Sequence, residues 1–520
     1  MRLRALLRAS PRMPREDRHR LRDLMRDVAR LPPGDDVMPA RLCASLQASY
    51  ARLHPEGRLG FLSILARQDV DEAAVQRGCK TLLAAADESR GAAASLRARA
   101  ALREALRPPS QTIVERIAQQ PDGLRFLVGL RADLLQAMDS SELTAPPAPA
   151  SPQHTAAPSP DESAVVSTTA SSDVSSDAAA ERERWRVLDG SLRRLLGVWF
   201  DAGLLELRRL TWERTPSSLL EKIMRYERVH PLDGWGDLRQ RTDGPGRRLF
   251  AFVHPRMPDE PLVFVQCAML DRVPTRLAHV LPEGGPADGS GEPHGDDARG
   301  VAVFYSISSP FAGLRGVPLG RLLIKQVVAT LTSERHPPPH TFVTLSPVPG
   351  FRSWLEARLA RHDVSHATDA DSSGEARALT RLLSALDAAG LTPSDPFETL
   401  SSIHQPLDTA LDGELAAARE ALLSLCARYL CLAKKRRSAL DPVAAFHLRN
   451  GARLQAVHAG ANPSARGLRE SAGIMVNYEY REQHLEANHS AYVSGGDVQA
   501  SASVWTLIGD DHVHARRIRV

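Results

Sequence analysis

Three glycines set ahead of an amphipathic helix are the first residues in this chain whose spacing could do chemistry. In GLRGVPLG, Gly313, Gly316 and Gly320 let the backbone come close to a ligand. Leu319, Leu322, Leu323, Val327 and Leu331 follow at helical spacing, with Arg321 and Lys325 on another face. The unpaired N–H groups and positive dipole end of such a helix suit an anion, a pyrophosphate in particular. The spacing is neither a Walker loop nor the GxGxxG dinucleotide fingerprint, so a tight turn is the competing reading. Residues suited to acid–base work lie further on. Ser346 ends the apolar run HTFVTLS, and Ser306, Ser308 and Ser309 lie in or just after VAVFYSIS. His447 sits in DPVAAFHLRNG, and His230, His254, His340, His404 and His458 compete with it. A histidine can deliver a proton near neutral pH. One flanked by Phe446 and Leu448 is, by type, more often a packed core side chain. A serine with a histidine invites a hydrolase reading, but no GxSxG elbow surrounds Ser346.

The elements that must position these residues are readable. From Val301 to Phe351 the order is strand, glycine loop, helix and strand, the last stopped by Ser346-Pro347. In DPVAAFHLRNG, Asp441 reads as an N-cap, Pro442 as the first helical residue and Gly451 as the stop. His447 then falls in the second half of a short helix. ARLQAVHAGA reads as a strand, NPSARGLRESAG as a loop and GIMVNYEYR as a strand. Upstream, RRLFAFVHP, PLVFVQCAML and RLAHVLP read as strands, and Glu283 to Arg299 as a polar loop tip. After SWLEARLARH, residues 375 to 440 read as further helices, GELAAAREALLSLCARYLCLAKKRRSAL among them.

The N-terminal part differs in kind. Residues 15 to about 138 carry apolar residues at three and four spacing, punctuated at Pro32-Pro33, Pro108-Pro109 and Pro121-Asp122-Gly123. Such short amphipathic helices must pack on one another, as a bundle. From Ser140 to about Ala180 the chain is Pro, Ser, Thr and Ala and cannot bury enough surface to offset its ordering entropy. RWRVLDGSLRRLLGVWFDAGLLELRRL is helical again. On composition alone the tract reads as a domain linker.

Composition bounds the rest. At 520 residues, two or three domains with sizeable cores are expected. A formal charge of +4 argues against a polyanion partner, so no nucleic acid is expected. No apolar run approaches the ~18 residues of a membrane span, and no membrane partner is expected. Arginine supplies nearly all the positive charge. The acid-free start, MRLRALLRASPRMPR, is like a transit peptide, but arginine bias throughout makes a cytoplasmic protein the preferred reading and mitochondrial targeting the alternative. Cys43, Cys79, Cys267, Cys426 and Cys431 form no CxxC pair and no zinc spacing, which fits a reducing compartment and no metal.

FYSIS, GLRGVPLG, LIK and LSPVPGF, in this order, resemble the catalytic domain of the malonyl-CoA decarboxylase family. The likeness resumes in DPVAAFHLRNGA and GIMVNYEY, and includes Val229-His230-Pro231 and Trp235 upstream. It implies a multidomain α and α+β protein. Residues 1–205 would be a helical oligomerisation domain with a disordered insertion at about 140–180. Residues 206–520 would be a GNAT-like mixed-sheet α/β catalytic domain with a helical insertion. The implied reaction converts malonyl-CoA to acetyl-CoA and carbon dioxide through a thioester enolate. The thioester carbonyl accepts the electrons, so no metal or organic cofactor is expected. The family motifs select Ser346 as proton acceptor and His447 as proton donor. They place Arg315, Gly316, Val317, Pro318, Leu319, Gly320 and Arg321, with Ser346 and His447, on malonyl-CoA. Pro318 departs from the pattern, since relatives can carry an acidic residue there and proline has no N–H to donate. Asn477, Tyr478 and Tyr480 are further candidates to line the pocket. A homo-oligomer, with a tetramer as one form, is also implied. Two other classes share such a fold and loop: an acyl-CoA N-acyltransferase and a non-catalytic acyl-CoA sensor. Ser346 and His447 favour the decarboxylase over both.

Overall fold

The computed structural model describes residues 13–32, 37–85, 91–142, 169–201, 203–281, 300–334, 337–361, 374–388 and 413–509. The arginine-rich start, residues 143–168, the polar stretch 283–299 and His404 lie outside them. The described residues form two compact units. The first gathers those up to Glu206 with Val253–Leu262 and Ser309–Leu319; the second holds the rest.

The first unit is helical. Its helices are α1 (Arg15–Arg30), α2 (Val37–Ala51), α3 (Pro55–Ala66), α4 (Glu72–Ala85), α5 (Gly91–Ala105), α6 (Pro109–Gln119), α7 (Gly123–Glu142) and α8 (Thr169–Trp199). Pro55 and Pro109 open α3 and α6, where a missing N–H costs nothing. Met25, Val28, Leu46, Leu62, Leu65, Ile113, Leu127, Leu134, Leu192 and Leu196 form the dry interior. Residues 169–180, which composition assigns to a disordered tract, are the first turns of α8. Ala178 to Ala180 are good helix formers and run directly into ERERWRVLDG, so the helix extends backwards through them.

The second unit is built on a mixed sheet. Its strands are β1 (Glu206–Leu210), β2 (Arg247–Val253), β3 (Val263–Leu270), β4 (Val301–Ser308), β5 (Thr341–Thr344) and β6 (Ser346–Pro347), then β9 (Arg453–His458) and β10 (Met475–Glu479); β7 (Lys434–Lys435) and β8 (Ser438–Ala439) form a separate hairpin. The strand order is β1-β2-β3-β4-β5-β10-β6, with β9 also on β10. Antiparallel pairs lead to one parallel pair, β4 with β5. The intervening helices are α9 (Ser217–Tyr226), α10 (Gly234–Asp243), α11 (Leu319–Glu334), α12 (Phe351–Leu359), α13 (Gly374–Ala388), α14 (Gly413–Cys431), α15 (Pro442–Arg449), α16 (Ala465–Ser471), α17 (Leu485–Gly495) and α18 (Ala502–Ile508). One apolar cluster joins Leu219, Leu220, Ile223 and Leu238 to Leu249, Ala251 and Phe264. Another joins Val301, Val303 and Tyr305 to Val343, Leu345 and Met475.

Four local expectations are corrected. RLAHVLP is a 3₁₀ turn at Leu277–His279, not a strand, because Leu277 N–H bonds to Ala461 O outside any ladder. NPSARGLRESAG holds helix α16, which Ser464 caps by accepting from Gly467 N–H. The helix expected through AKKRRSAL stops at Cys431, and the chain turns into the β7–β8 hairpin, where Ala439 N–H finds Tyr492 OH at 2.7 Å. The helix expected through LELRRL ends at Trp199, and Glu206–Leu210 joins the sheet edge as β1.

Candidate active site

Strands β4 and β5 stay paired only from Val301–Thr341 to Phe304–Thr344. β4 continues to Ser308 against β3, with Tyr305 as an extra residue between the Phe304–Cys267 and Ser306–Gln266 pairs. A bulge of this kind bends and twists its strand. On the other arm, Ser346 leaves the line of β5 and pairs with Val476 of β10. The parallel strands therefore fork, and Ser346 lies just past the fork.

His447 reaches Ser346 from α15. Asp441 caps that helix, its Oδ1 accepting from Val443 N–H and Ala444 N–H, each at 2.9 Å. Pro442 is the first helical residue. Gly451 closes the end at φ +86°, where a side chain would also strike Leu485 O at 2.2 Å. Ser346 Oγ and His447 Nε2 are 3.0 Å apart. Ser346 Oγ–H donates to Thr344 Oγ1 at 2.9 Å, an oxygen that also accepts Tyr478 N–H at 3.1 Å. On the far side of the imidazole, His447 Nδ1 is 2.7 Å from Tyr480 OH. The Tyr478 ring stacks on the imidazole at 4.4 Å. Ser346 and His447 are 5% and 4% exposed, so the pair is essentially dry.

Burial fixes the protonation states. It pushes His447 down to about 3, so the imidazole is neutral at physiological pH. It pushes the Tyr480 phenol upward, so the phenol keeps its proton. One direction of hydrogen bonding then serves every group: Tyr480 O–H to Nδ1, Nε2–H to Ser346 Oγ, and Ser346 O–H to Thr344. Thr344 escaped the sequence reading, although it shares a strand face with Ser346 at a spacing of two.

The glycine loop spans the two units. In the first, a Cβ on Gly313 would sit 1.8 Å from Val128 O. The Gly313 carbonyl accepts from the buried Arg131, which also meets Asp189 at 2.8 Å. Gly316 has φ +84°. Arg315 pairs with Asp139 at 3.2 Å with both side chains exposed. Val317 and Leu319 are buried and Pro318 is exposed. In the second unit, a Cβ on Gly320 would lie 2.4 Å from the Phe446 ring, and Arg321 is exposed. Packing at Gly313 and Gly320 and a left-handed turn at Gly316 thus account for the three glycines within the fold itself. Gly320 also brings the start of α11 against the neighbour of His447.

The competing residues are engaged elsewhere. Ser306 and Ser308 donate to the buried Glu227 carboxylate at 2.7 and 3.3 Å, and Gln266 Nε2–H does so at 2.6 Å. His230 is buried beside Tyr305, and burial pushes it down to about 4. His254 packs on Phe200 in the first unit. His340 is exposed and meets its neighbour Thr341. His458 Nε2 is 2.5 Å from Asn477 Oδ1, and Asn477 Nδ2 donates to Thr344 O and Pro274 O. Asn477 therefore ties β10 to β5 behind the pair. Among the described residues, no group of three or more His, Cys, Asp or Glu side chains is placed to hold a metal ion.

A mixed sheet that forks at its parallel pair, a loop and helix directly after β4, and a buried tyrosine–histidine–serine relay past the fork define a GNAT-like catalytic domain. Residues 203–517 match the family model of the malonyl-CoA decarboxylase C-terminal domain, and residues 69–200 match that of the N-terminal domain. The chain is 32% identical over 472 residues to the mitochondrial malonyl-CoA decarboxylase of Rattus norvegicus, covering 90% of this chain and 85% of that one. It is 30% identical over 495 residues to that of Anser anser anser, covering 93% and 88%. The crystal structure of malonyl-CoA decarboxylase from Rhodopseudomonas palustris is similar with a TM-score of 0.69 at 31% identity, over 94% of this chain and 99% of that one. The chain belongs to the malonyl-CoA decarboxylase family.

Proposed function

We propose that this protein decarboxylates malonyl-CoA to acetyl-CoA and carbon dioxide, with Ser346 and His447 as the reacting pair. The observation that carries the reading is the buried 3.0 Å contact between Ser346 Oγ and His447 Nε2 beyond the fork of β4 and β5. Past Phe304, β4 is no longer paired with β5, and an extended pantetheine arm with its two amides would add along this divergence as a strand would. The loop from Arg315 to Arg321 would meet the pyrophosphate, using first-turn N–H groups of α11. Arg315 would exchange its exposed Asp139 partner for phosphate. Pro318 supplies no N–H, so this duty falls to its neighbours.

The bond that breaks joins the malonyl carboxylate carbon to C2. Its electron pair passes onto the thioester carbonyl, carbon dioxide leaves, and C2 then takes a proton. Ser346 accepts the His447 Nε2–H, and its hydroxyl hydrogen would turn from Thr344 to donate to the malonyl carboxylate. His447 supplies the proton to C2 and is refilled from solvent. Tyr480 holds the imidazole with its hydrogen on Nε2. A thioester enolate is a stronger base than imidazolate, so a neutral N–H suffices as donor, and the imidazolate left behind takes a proton back from solvent. The low dielectric that keeps His447 neutral also strengthens every contact made to the developing enolate. The thioester itself is the electron sink, and the reaction therefore asks for no metal or organic cofactor.

A homo-oligomer through the helical unit is part of the proposal, with the exposed Leu83, Leu96, Val187 and Val198 as candidate contact residues. We place the protein in the cytoplasm on its chain-wide arginine bias; the mitochondrial naming of animal relatives describes those proteins. The test is purified protein with malonyl-CoA and no amine acceptor, following acetyl-CoA and carbon dioxide. Equimolar release supports decarboxylation. Turnover only on adding an amine would make the protein an N-acyltransferase, and binding without turnover a sensor.

A further inference from the structure

Asp441 does more than cap a helix. Its side chain is fully buried. Oδ1 is spent on the first turn of α15, on Val443 and Ala444 N–H. Oδ2 faces the other way, toward Gly350 N–H at 3.4 Å and Tyr429 OH at 3.5 Å. Gly350 ends the SPVPG segment that begins at Ser346 and precedes α12. One carboxylate thus touches the helix that carries His447 and the segment that carries Ser346.

The fit around this contact is close. A Cβ on Gly350 would lie 2.3 Å from Tyr429 OH and 3.7 Å from Asp441 Oδ2, so only glycine lets the backbone reach the carboxylate. Tyr429 is clamped in turn by the Trp354 ring at 5.2 Å and the Phe351 ring at 5.9 Å, both on α12. The groups that face the carboxylate are Cys426 and Tyr429 on α14 and Tyr478 on β10. Burial raises the Asp441 carboxyl, and among the described residues neutral hydrogen-bond donors offset this and no cation does. A buried carboxylate without a cation is a standing cost to the fold. A helix cap alone does not require it, since serine caps as well.

We propose that Asp441 is a positioning residue of the active site: its two oxygens clasp the His447 helix to the Ser346 segment and so set the separation of the pair. This rests on the decarboxylase reading for its kinetic consequence, but not for its geometric one. Loosening the clasp lets α15 shift relative to β6, and misplacement of a reacting group by about 1 Å can cost on the order of 10²-fold in rate.

The test compares Asp441→Ser, Asp441→Asn and Gly350→Ala. Serine keeps the cap but cannot reach Gly350. Asparagine keeps the cap and the bulk, but the amide nitrogen that replaces Oδ2 cannot accept from Gly350 N–H. Gly350→Ala pushes Tyr429 against the clasp from the other side. Asp441→Ser and Gly350→Ala should each lose about tenfold in kcat with KM within about twofold. Asp441→Asn should lose kcat in the same way while keeping the helix cap, because its amide N–H cannot accept from Gly350 N–H. Crystal structures of the Ser and Ala variants should show the Ser346–His447 contact lengthened or broken. A wild-type kcat in Asp441→Ser, or an unchanged contact in its crystal structure, would reduce Asp441 to a cap and overturn the proposal. So would losses that vanish once rates are expressed per folded molecule. If wild type itself releases no carbon dioxide, the decarboxylase reading fails, and the crystallographic contact still decides the clasp.

Discussion

Ser346 and His447 lie 101 residues apart in the chain and meet at 3.0 Å, with Thr344 behind the serine and Tyr480 behind the histidine. The four form one line of hydrogen bonds in a dry site. Replacing Ser346 by alanine removes the partner of Nε2 and, on the proposed mechanism, the carboxylate contact, and kcat should fall by about 10²-fold or more with a smaller change in KM. If serine and histidine act as a unit, the double variant with His447→Asn should be little worse than the poorer single one. Additive losses in steady-state kinetics would separate their roles.

Tyr480→Phe tests the tautomer. Without the phenol, Nδ1 loses its donor and the imidazole can carry its hydrogen on either nitrogen. A drop in kcat of about tenfold, with KM and melting temperature nearly unchanged, is expected. An unchanged kcat would mean that the phenol packs but does not orient.

The glycine loop predicts different failures at different positions. Gly320→Val would drive a side chain into the Phe446 ring and displace His447, so kcat and thermal stability should fall along with affinity. Gly316→Val strains a residue at φ +84° on the exposed part of the loop, so its chief effect should be a raised KM. Kinetics and melting curves on the two variants separate these outcomes; identical effects would contradict the assignment.

Buried neutral histidines tie stability to pH. The folded protein holds His447 at about 3 and His230 at about 4, against roughly 6.5 in an unfolded chain. Between about 6.5 and 4 the unfolded state binds protons that the folded state refuses. Unfolding free energy therefore rises with pH across this window and is lost as the pH falls through it. Asp441, raised in the folded state, acts in the opposite sense. Urea unfolding at pH 5 and pH 7.5 should show the lower stability at pH 5, with a smaller difference in His447→Asn. An equal difference in the variant would mean that His447 is not the group involved.

Much of this site was legible. Asp441, Pro442 and Gly451 marked the ends of the histidine helix because capping chemistry is local. The strand before Ser346 and the helix after the glycine loop were likewise set by local pattern. What local pattern does not carry is which distant group satisfies a side chain. The Tyr480 contact, the reach of Asp441 to Gly350 and the Phe446 ring over Gly320 are all tertiary. The same limit explains RLAHVLP and AKKRRSAL, where bonds to Ala461 and Tyr492 override local propensity. It also explains why all three glycines read as ligand-facing when two of them answer to packing.

The central claim is that His447 delivers the proton that completes decarboxylation. The direct measurement is release of labelled carbon dioxide from carboxyl-labelled malonyl-CoA by wild type and by folded His447→Asn, across neutral pH and without an amine. Wild type should release it in step with acetyl-CoA, and the variant should be slower by about 10²–10⁴-fold with a modest change in KM. A variant that keeps the wild-type kcat would make His447 a packed core residue and contradict the mechanism.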